Sequence, residues 1–430
     1  MKATKYIIGF LAGVIALASC DNIDYPDRFR ETTGLPTIDF IRYANKDVII
    51  NQANMEEIIC IVGDNLTSVH DLYFNDQPAI LNPSYMTAKT LVVAVPKDMP
   101  VEQTDKIYLY NRAGDVVTYD FKVLPPAPKI FGMSNEWALP GETVTIRGNF
   151  LFPPLTVEFP GATPVELTAG NGSEISFAVP EDAQPGFIKV TTPSGTAQSV
   201  FQYKDSRNML FDWDGTYGFA QGYGWRAGVV NGSYQMRRAP GDDAFDALDG
   251  NYIVFSHEFG SLGDWAEDEM SFDYWPGAEG SANPPLYSLP TFAQFIEKYG
   301  VAGLALKFEV LIPSSNPWTG VPMLLMFSDE ASVSESNMNN SYFSDNDFPR
   351  YYWAPWATNG SYDTADKWVT VSFPLTDFNK TAGGDVCGTT FDKNFLHGLA
   401  VFAWDNGTPN SGTPGSPVIA IDNIRVVPIG

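Results

Sequence analysis

Tyr351-Tyr352-Trp353-Ala354-Pro355-Trp356 crowds four aromatic rings into six residues. The chemistry such a run suits is stacking rather than bond making. The C–H face of a pyranose is flat and apolar, and it leaves water when it lies on an indole or phenol. At ~25 cal/mol per Å², each ring contributes on the order of 1–2 kcal/mol. Two or three rings with a few hydrogen bonds then reach the micromolar-to-millimolar range. Nine of the ten tryptophans follow residue 205. A second candidate ring, Trp318, sits in Asn316-Pro317-Trp318-Thr319-Gly320, a turn-like address. Arg350 precedes the tyrosines and can fork onto hydroxyls. Asn406 follows Trp404-Asp405 in a glycine-containing loop. The polar run 328–348 before the cluster and Pro355 within it place these rings on a loop or strand edge. The predicted glycan-binding set is therefore Trp318, Arg350, Tyr351, Tyr352, Trp353, Trp356 and Asn406.

Catalytic constellations have weaker support. A glycoside hydrolase needs two carboxylates facing each other across roughly 5–9.5 Å. With 51 acidic residues, pairs exist everywhere and no spacing singles one out. Three histidines and no Gly-x-Ser-x-Gly elbow give no Ser-His-Asp framework. No His/Cys spacing implies a bound transition metal. Acidic loops such as Asp242-Asp243 and Asp345 to Asp347 leave room for a structural calcium; no other cofactor is implied. Binding without chemistry is the reading carried forward. The alternatives are a lipid-anchored glycoside hydrolase and a protein-binding surface adhesin.

The formal charge is −25. That disfavours nucleic acid, which requires basic patches, and anionic lipid surfaces. It would also repel a polyanionic ligand, whereas a neutral polysaccharide is indifferent to it.

The N-terminus reads as an export signal. Lys2 and Lys5 precede an apolar stretch, Tyr6 to Leu17, which is too short to span a bilayer. Leu17-Ala18-Ser19-Cys20 resembles a bacterial lipobox. This resemblance implies a signal peptide over 1–19, lipidation of Cys20, and an acidic tether over 20–35. The implied location is the outer membrane, surface-exposed. Cys60 lies in an apolar run and is predicted to be a small buried hydrophobe. Cys387 falls in a different predicted domain, so a disulfide between the two is not expected.

The folded part begins with a repeat. Ile61-Val62-Gly63-Asp64-Asn65-Leu66 recurs as Ile146-Arg147-Gly148-Asn149-Phe150-Leu151. Leu91 to Asp98 recurs as Ile175 to Asp182, and Tyr119 to Lys122 as Phe201 to Lys204. A period of roughly 80–90 residues exceeds a solenoid unit and suits tandem immunoglobulin-like sandwiches. The pattern Gly-x-x-Val-Thr-Ile-x-Gly-x-Phe-Leu at Gly141 to Leu151 resembles the IPT/TIG family. The predicted domains are 36–124 and 125–204, joined by the stiff Leu124-Pro125-Pro126-Ala127-Pro128 segment.

From residue 205 to 430 the composition shifts toward Gly, Asn, Asp, Trp and Tyr. Strands are predicted at 251–256, 304–312, 323–327, 368–373, 399–404 and 419–427. One short helix is predicted at 291–299. The fold class is all-β: two tandem Ig-like (IPT/TIG) sandwiches followed by a larger jelly-roll-type β-sandwich. The terminal Asp422-Asn423 pair is predicted to lie inside the fold, a feature resembling carbohydrate-binding sandwiches. Lipobox, tandem Ig-like copies and an aromatic-rich C-terminal sandwich together resemble the surface glycan-binding lipoproteins of Bacteroidetes polysaccharide-utilisation systems. The resemblance is to the type with a C-terminal xyloglucan-binding domain. It implies capture of xyloglucan or a related β-glucan. The implied partners are surface glycanases and an importer complex, with Trp318, Tyr352 and Trp353 as stacking positions.

Overall fold

The computed structural model describes residues 30–100, 102–222, 229–230, 233–234, 236–258, 271–276, 283–329, 348–404 and 412–429. Cys20, residues 1–19, most of the tether and Asn406 lie outside them. The chain divides into two compact units, Met1–Pro126 and Ala127–Gly430. The boundary falls within the proline-rich segment.

The described part of the first unit is an Ig-like sandwich. One sheet runs Ile49–Ile50, Thr37–Tyr43, Ile58–Asp64, Thr90–Ala94. The other runs Gln77–Pro78, Val69–Phe74, Lys106–Asn111, Val116–Asp120. Ile41, Ile61, Leu72, Phe74, Leu91 and Leu109 fill the space between them. Cys60 is buried and free, as its apolar run predicts.

The second unit opens with the other copy. Its sheets run Lys129–Met133, Thr143–Leu151, Gly172–Ala178, and Val165–Leu167, Leu155–Glu158, Gly186–Thr192, Gly195–Tyr203. The repeat has a physical reason at two positions. A Cβ on Gly63 would run into the Thr37 carbonyl oxygen, and one on Gly148 into that of Lys129. Each copy brings its first strand this close to the glycine. Two residues later, Asn65 (φ 56°) and Phe150 (φ 59°) both turn the chain through the left-handed region.

Tyr203 closes the second copy. Its hydroxyl donates to the Ala138 carbonyl oxygen at 2.8 Å. Burial, with help from Glu142, pushes its phenol up to about 12. An unfolded tyrosine ionises near ~10. The contribution of the bound proton to stability is therefore complete below that pH and drains away as pH rises through the folded value. Urea midpoints of the native chain are expected to fall between about pH 10 and 12, and Tyr203→Phe to flatten that fall. Parallel loss in both proteins would exclude Tyr203 as the titrating group.

Ten described strands of the C-terminal sandwich are used below. They are β1 (Met209–Phe211), β2 (Arg237–Arg238), β3 (Tyr252–Ser256), β4 (Ser271–Tyr274) and β5 (Leu304–Leu311). They continue as β6 (Met323–Ser328), β7 (Tyr351–Trp353), β8 (Val369–Pro374), β9 (Gly398–Ala403) and β10 (Val418–Pro428). One sheet has the order β2-β3-β10-β5-β8, with β1 also on β10. The other has the order β4-β9-β6-β7. Each predicted strand is present to within two residues at either end. The helix α1 spans Pro290–Tyr299, with proline in its first turn and Gly300 (φ 65°) ending it. Asp422 and Asn423 are buried, as predicted.

The second Ig-like copy and the C-terminal sandwich fall in one compact unit, Ala127–Gly430, and share buried contacts. Trp137, from the Ig-like copy, is 4% exposed and packs in a cluster with Met209, Tyr252, Val254, Leu311 and Trp368. Beside it Glu136 accepts from Lys307 Nζ at 2.6 Å and Arg425 Nη2 at 2.9 Å. Arg425 also donates to both carboxylate oxygens of Glu309, at 2.7 and 2.9 Å. Charges taken this far out of water are tolerable only when mutually paired. The second copy is thereby joined to the C-terminal body through a buried charge cluster.

Candidate functional site

Side chains on a strand alternate between faces, so each strand of the β4-β9-β6-β7 sheet has an inner and an outer set. Inward go Phe272 and Tyr274, Leu399 and Val401, Met323, Leu325 and Phe327, and Trp353, all in the main core. The outward set is also apolar. Leu324, Met326, Ala400 and Phe402 form a second cluster with Trp275 and Phe348, against which Tyr352, Phe395 and Trp404 pack. A sheet face that is apolar on both sides needs a cover on each. Here the inner side has the other sheet, while the outer side carries aromatic rings.

Tyr352 lies opposite Leu324 in the β6/β7 register and stays half-buried. Its ring rests against Gly384 (φ 86°), where a Cβ would stand 3.3 Å from the ring. Trp404 continues the outward set of β9, with its ring 6.5 Å from Phe402. It is also half-buried. Trp275 (3% exposed) and Phe402 (fully buried) form the floor. Phe348 and Phe395 meet edge to face at 5.3 Å. Among the outward positions of the four described strands, Asp273 is the one carboxylate, fully buried opposite Ala400. Flat, partly exposed rings such as Tyr352 and Trp404 can stack on a ligand with apolar faces.

The structure separates the predicted site residues. Trp318 is fully buried, its Nε1 donating to the carbonyl oxygens of Gly320 and Val321 at 2.8 and 2.9 Å. Its ring meets Trp353 edge to face at 5.1 Å. Trp353 and Trp356 are 8% and 4% exposed and belong to the same core. Arg350 is fully buried, donating through Nε and Nη2 to the Phe348 carbonyl oxygen. Tyr351 points inward against Phe373 at 4.7 Å. The prediction that Trp318, Arg350, Trp353 and Trp356 face solvent is therefore wrong. The Pro-rich, Gly-rich surroundings that suggested a loop are the turns that fold these rings inward. Only Tyr352 of the described predicted set lies on the outer face. Trp404, on the same outer face, was not among the predicted residues. The Ala400, Phe402, Trp404 alternation could have found Trp404, but the strand is apolar on both faces and the alternation is masked.

Asp242 and Asp243 are engaged by the Ala239 N–H and the Tyr252 hydroxyl. Among the described residues no group of three His, Cys, Asp or Glu could hold a metal ion.

Residues 203–428 match the family model described as the surface glycan-binding protein B xyloglucan binding domain. The chain belongs to this family. Its structure is similar to the crystal structure of surface glycan-binding protein PbSGBP-B from Prevotella bryantii. That similarity covers 92% of this chain and 99% of the other at 33% identity, with a TM-score of 0.72. An IPT/TIG domain-containing protein of Bacteroides ovatus is 30% identical over 156 residues, 34% of this chain. The matched part spans 30% of that relative's length.

Proposed function

We propose that the chain captures a neutral polysaccharide, xyloglucan or a related β-glucan, on the outer face of the β4-β9-β6-β7 sheet, without cleaving it. The carrying observation is that outward aromatic face, with Tyr352 and Trp404 as its partly exposed rings. The match to the xyloglucan binding domain family supports the ligand class, and the similarity to a Prevotella surface glycan-binding protein supports glycan as ligand. The charge of −25 sets no barrier to a neutral chain. Cys20 anchors the protein in the outer membrane facing outward, and many weak contacts along one polymer multiply into retention. The captured glycan passes to surface glycanases and an importer.

Tyr352→Ala and Trp404→Ala are each expected to weaken xyloglucan binding about tenfold, the effect of losing ~1.4 kcal/mol. The double variant should leave no measurable heat by isothermal titration. Unaltered affinity in the double variant would remove this face as the site. Release of new reducing ends from xyloglucan by the purified chain would favour the hydrolase alternative. Absence of binding across a panel of soluble β-glucans, together with retention on a protein partner, would favour the adhesin.

A further inference from the structure

The two Ig-like copies share a sandwich but not an outer face. In the second copy Val157 and Val190 fill the core, so their neighbours along the strands face out. These outward residues form the cross-strand rows Thr156-Thr191-Thr196 and Glu158-Lys189-Gln198, both polar. In the matching sheet of the first copy the core residues are Leu72, Phe74, Ile107 and Leu109. Its outward rows are Pro78-Tyr73-Tyr108-Thr118 and Asp71-Tyr110-Val116.

The fold does not require those three rings, because the second copy closes the same sheet pair without them. Its own Tyr203 is of the structural kind, fully buried with a bonded hydroxyl. Tyr73, Tyr108 and Tyr110 are half-exposed instead. Among the described residues no hydrogen bond ends on their hydroxyls. The Tyr73 and Tyr110 rings meet edge to face at 5.8 Å, a geometry that favours a defined ring angle. Tyr108 lies directly opposite Tyr73. Neighbouring strands stand about 4.7–4.9 Å apart, so the three rings form one contiguous patch.

The surroundings select the occupant. Asp71 is opposite Tyr110 and Thr118 is opposite Tyr108, both exposed. In the next row Lys106 pairs with Asp120 at 2.5 Å, and the chain carries a net charge of −25. An anionic ligand is therefore disfavoured. A protein interface is depleted of charge at its centre, whereas here a carboxylate stands beside a ring. Flat rings with hydroxyl tips, flanked by an acceptor and a further hydroxyl, match the apolar faces and polar edges of a sugar. We infer that the outer face of the first Ig-like sandwich is a second, weaker carbohydrate site, on which Tyr73, Tyr108 and Tyr110 stack against a neutral polysaccharide. The ligand class rests on the function proposed above; the place does not. Three phenols without an indole hold a sugar at roughly millimolar strength, which gives no heat alone but adds retention on a long polymer.

The test uses the full chain labelled with 3-fluorotyrosine, titrated with xyloglucan oligosaccharide into the millimolar range and followed by fluorine NMR. Tyr73→Phe, Tyr108→Phe, Tyr110→Phe and Tyr352→Phe assign the four signals by deletion. The signals of Tyr73, Tyr108 and Tyr110 should shift saturably with one apparent constant, also in the Tyr352→Ala/Trp404→Ala background. Tyr108→Ala should raise that constant at least about tenfold, and Tyr110→Ala serves as an independent variant should Tyr108→Ala fail to fold. Thr191→Ala, on the polar face of the second copy, should leave it unchanged. Movement of the three signals without Tyr352 would support this site and sink the one on the C-terminal sandwich. Movement of Tyr352 alone would overturn the second site and leave the first standing. Movement of none of the four would overturn both.

Discussion

Arg425→Ala is expected to lower the unfolding free energy of the 127–430 unit by about 3–5 kcal/mol. Four hydrogen bonds end on this guanidinium, from Nη1 to Glu309 and the Asn423 carbonyl and from Nη2 to Glu309 and Glu136. Removing it leaves Glu309 fully buried and Glu136 at 2% exposure with half their compensation gone. Glu136 keeps Lys307; Glu309 keeps only the Thr370 hydroxyl at 2.8 Å. The loss therefore comes from stranded carboxylates more than from the missing side chain. Glu136→Ala attacks the same cluster from the Ig-like side, 289 residues away from Arg425 in sequence, and should also destabilise both sandwiches together. Urea unfolding followed by tryptophan fluorescence checks both variants. A loss below about 1 kcal/mol for Arg425→Ala would mean that the cluster is effectively solvated. Two separate transitions in the native protein would contradict this shared cluster.

Trp318→Ala is the second large effect, also about 3–5 kcal/mol, the usual cost of deleting a buried indole. Its ring fills the core between Trp353 and its own turn, and its Nε1 bonds leave two carbonyls unpaired when removed. The fraction of the variant that remains folded at low temperature should bind xyloglucan like the native chain. This separates a core ring from a platform ring: Tyr352→Ala should do the reverse, losing affinity with little change in unfolding midpoint. Normal stability with lost binding in Trp318→Ala would restore Trp318 to the site.

Much of the fold is written in local pattern. The repeat is visible because both Ig-like copies need glycine where a first strand crosses, at Gly63 and Gly148. Strands β5, β6, β8, β9 and β10 appear as runs of β-branched and apolar residues because the pleat accepts those types wherever they occur. The helix is punctuated by its own Pro290 and Gly300.

The site was only partly legible, and the reason is facing. Strands β6, β7 and β9 carry large apolar residues on both faces, so composition marks them as aromatic without saying which ring looks out. Tyr352 and Trp353 are neighbours in sequence, yet alternation sends one to the outer face and the other into the core. A ring's address depends on which sheet lies behind it, and that is a property of strand order. The same holds for Glu136, whose partners Lys307 and Arg425 are distant in sequence. What the residues determine by themselves is class, repeat, strand inventory and the aromatic wealth of the C-terminal half. Which rings face outward, and that the second Ig-like copy belongs to the C-terminal body, were decided only when the β4-β9-β6-β7 sheet closed over its partner. Burial follows from contacts between segments that no local window contains.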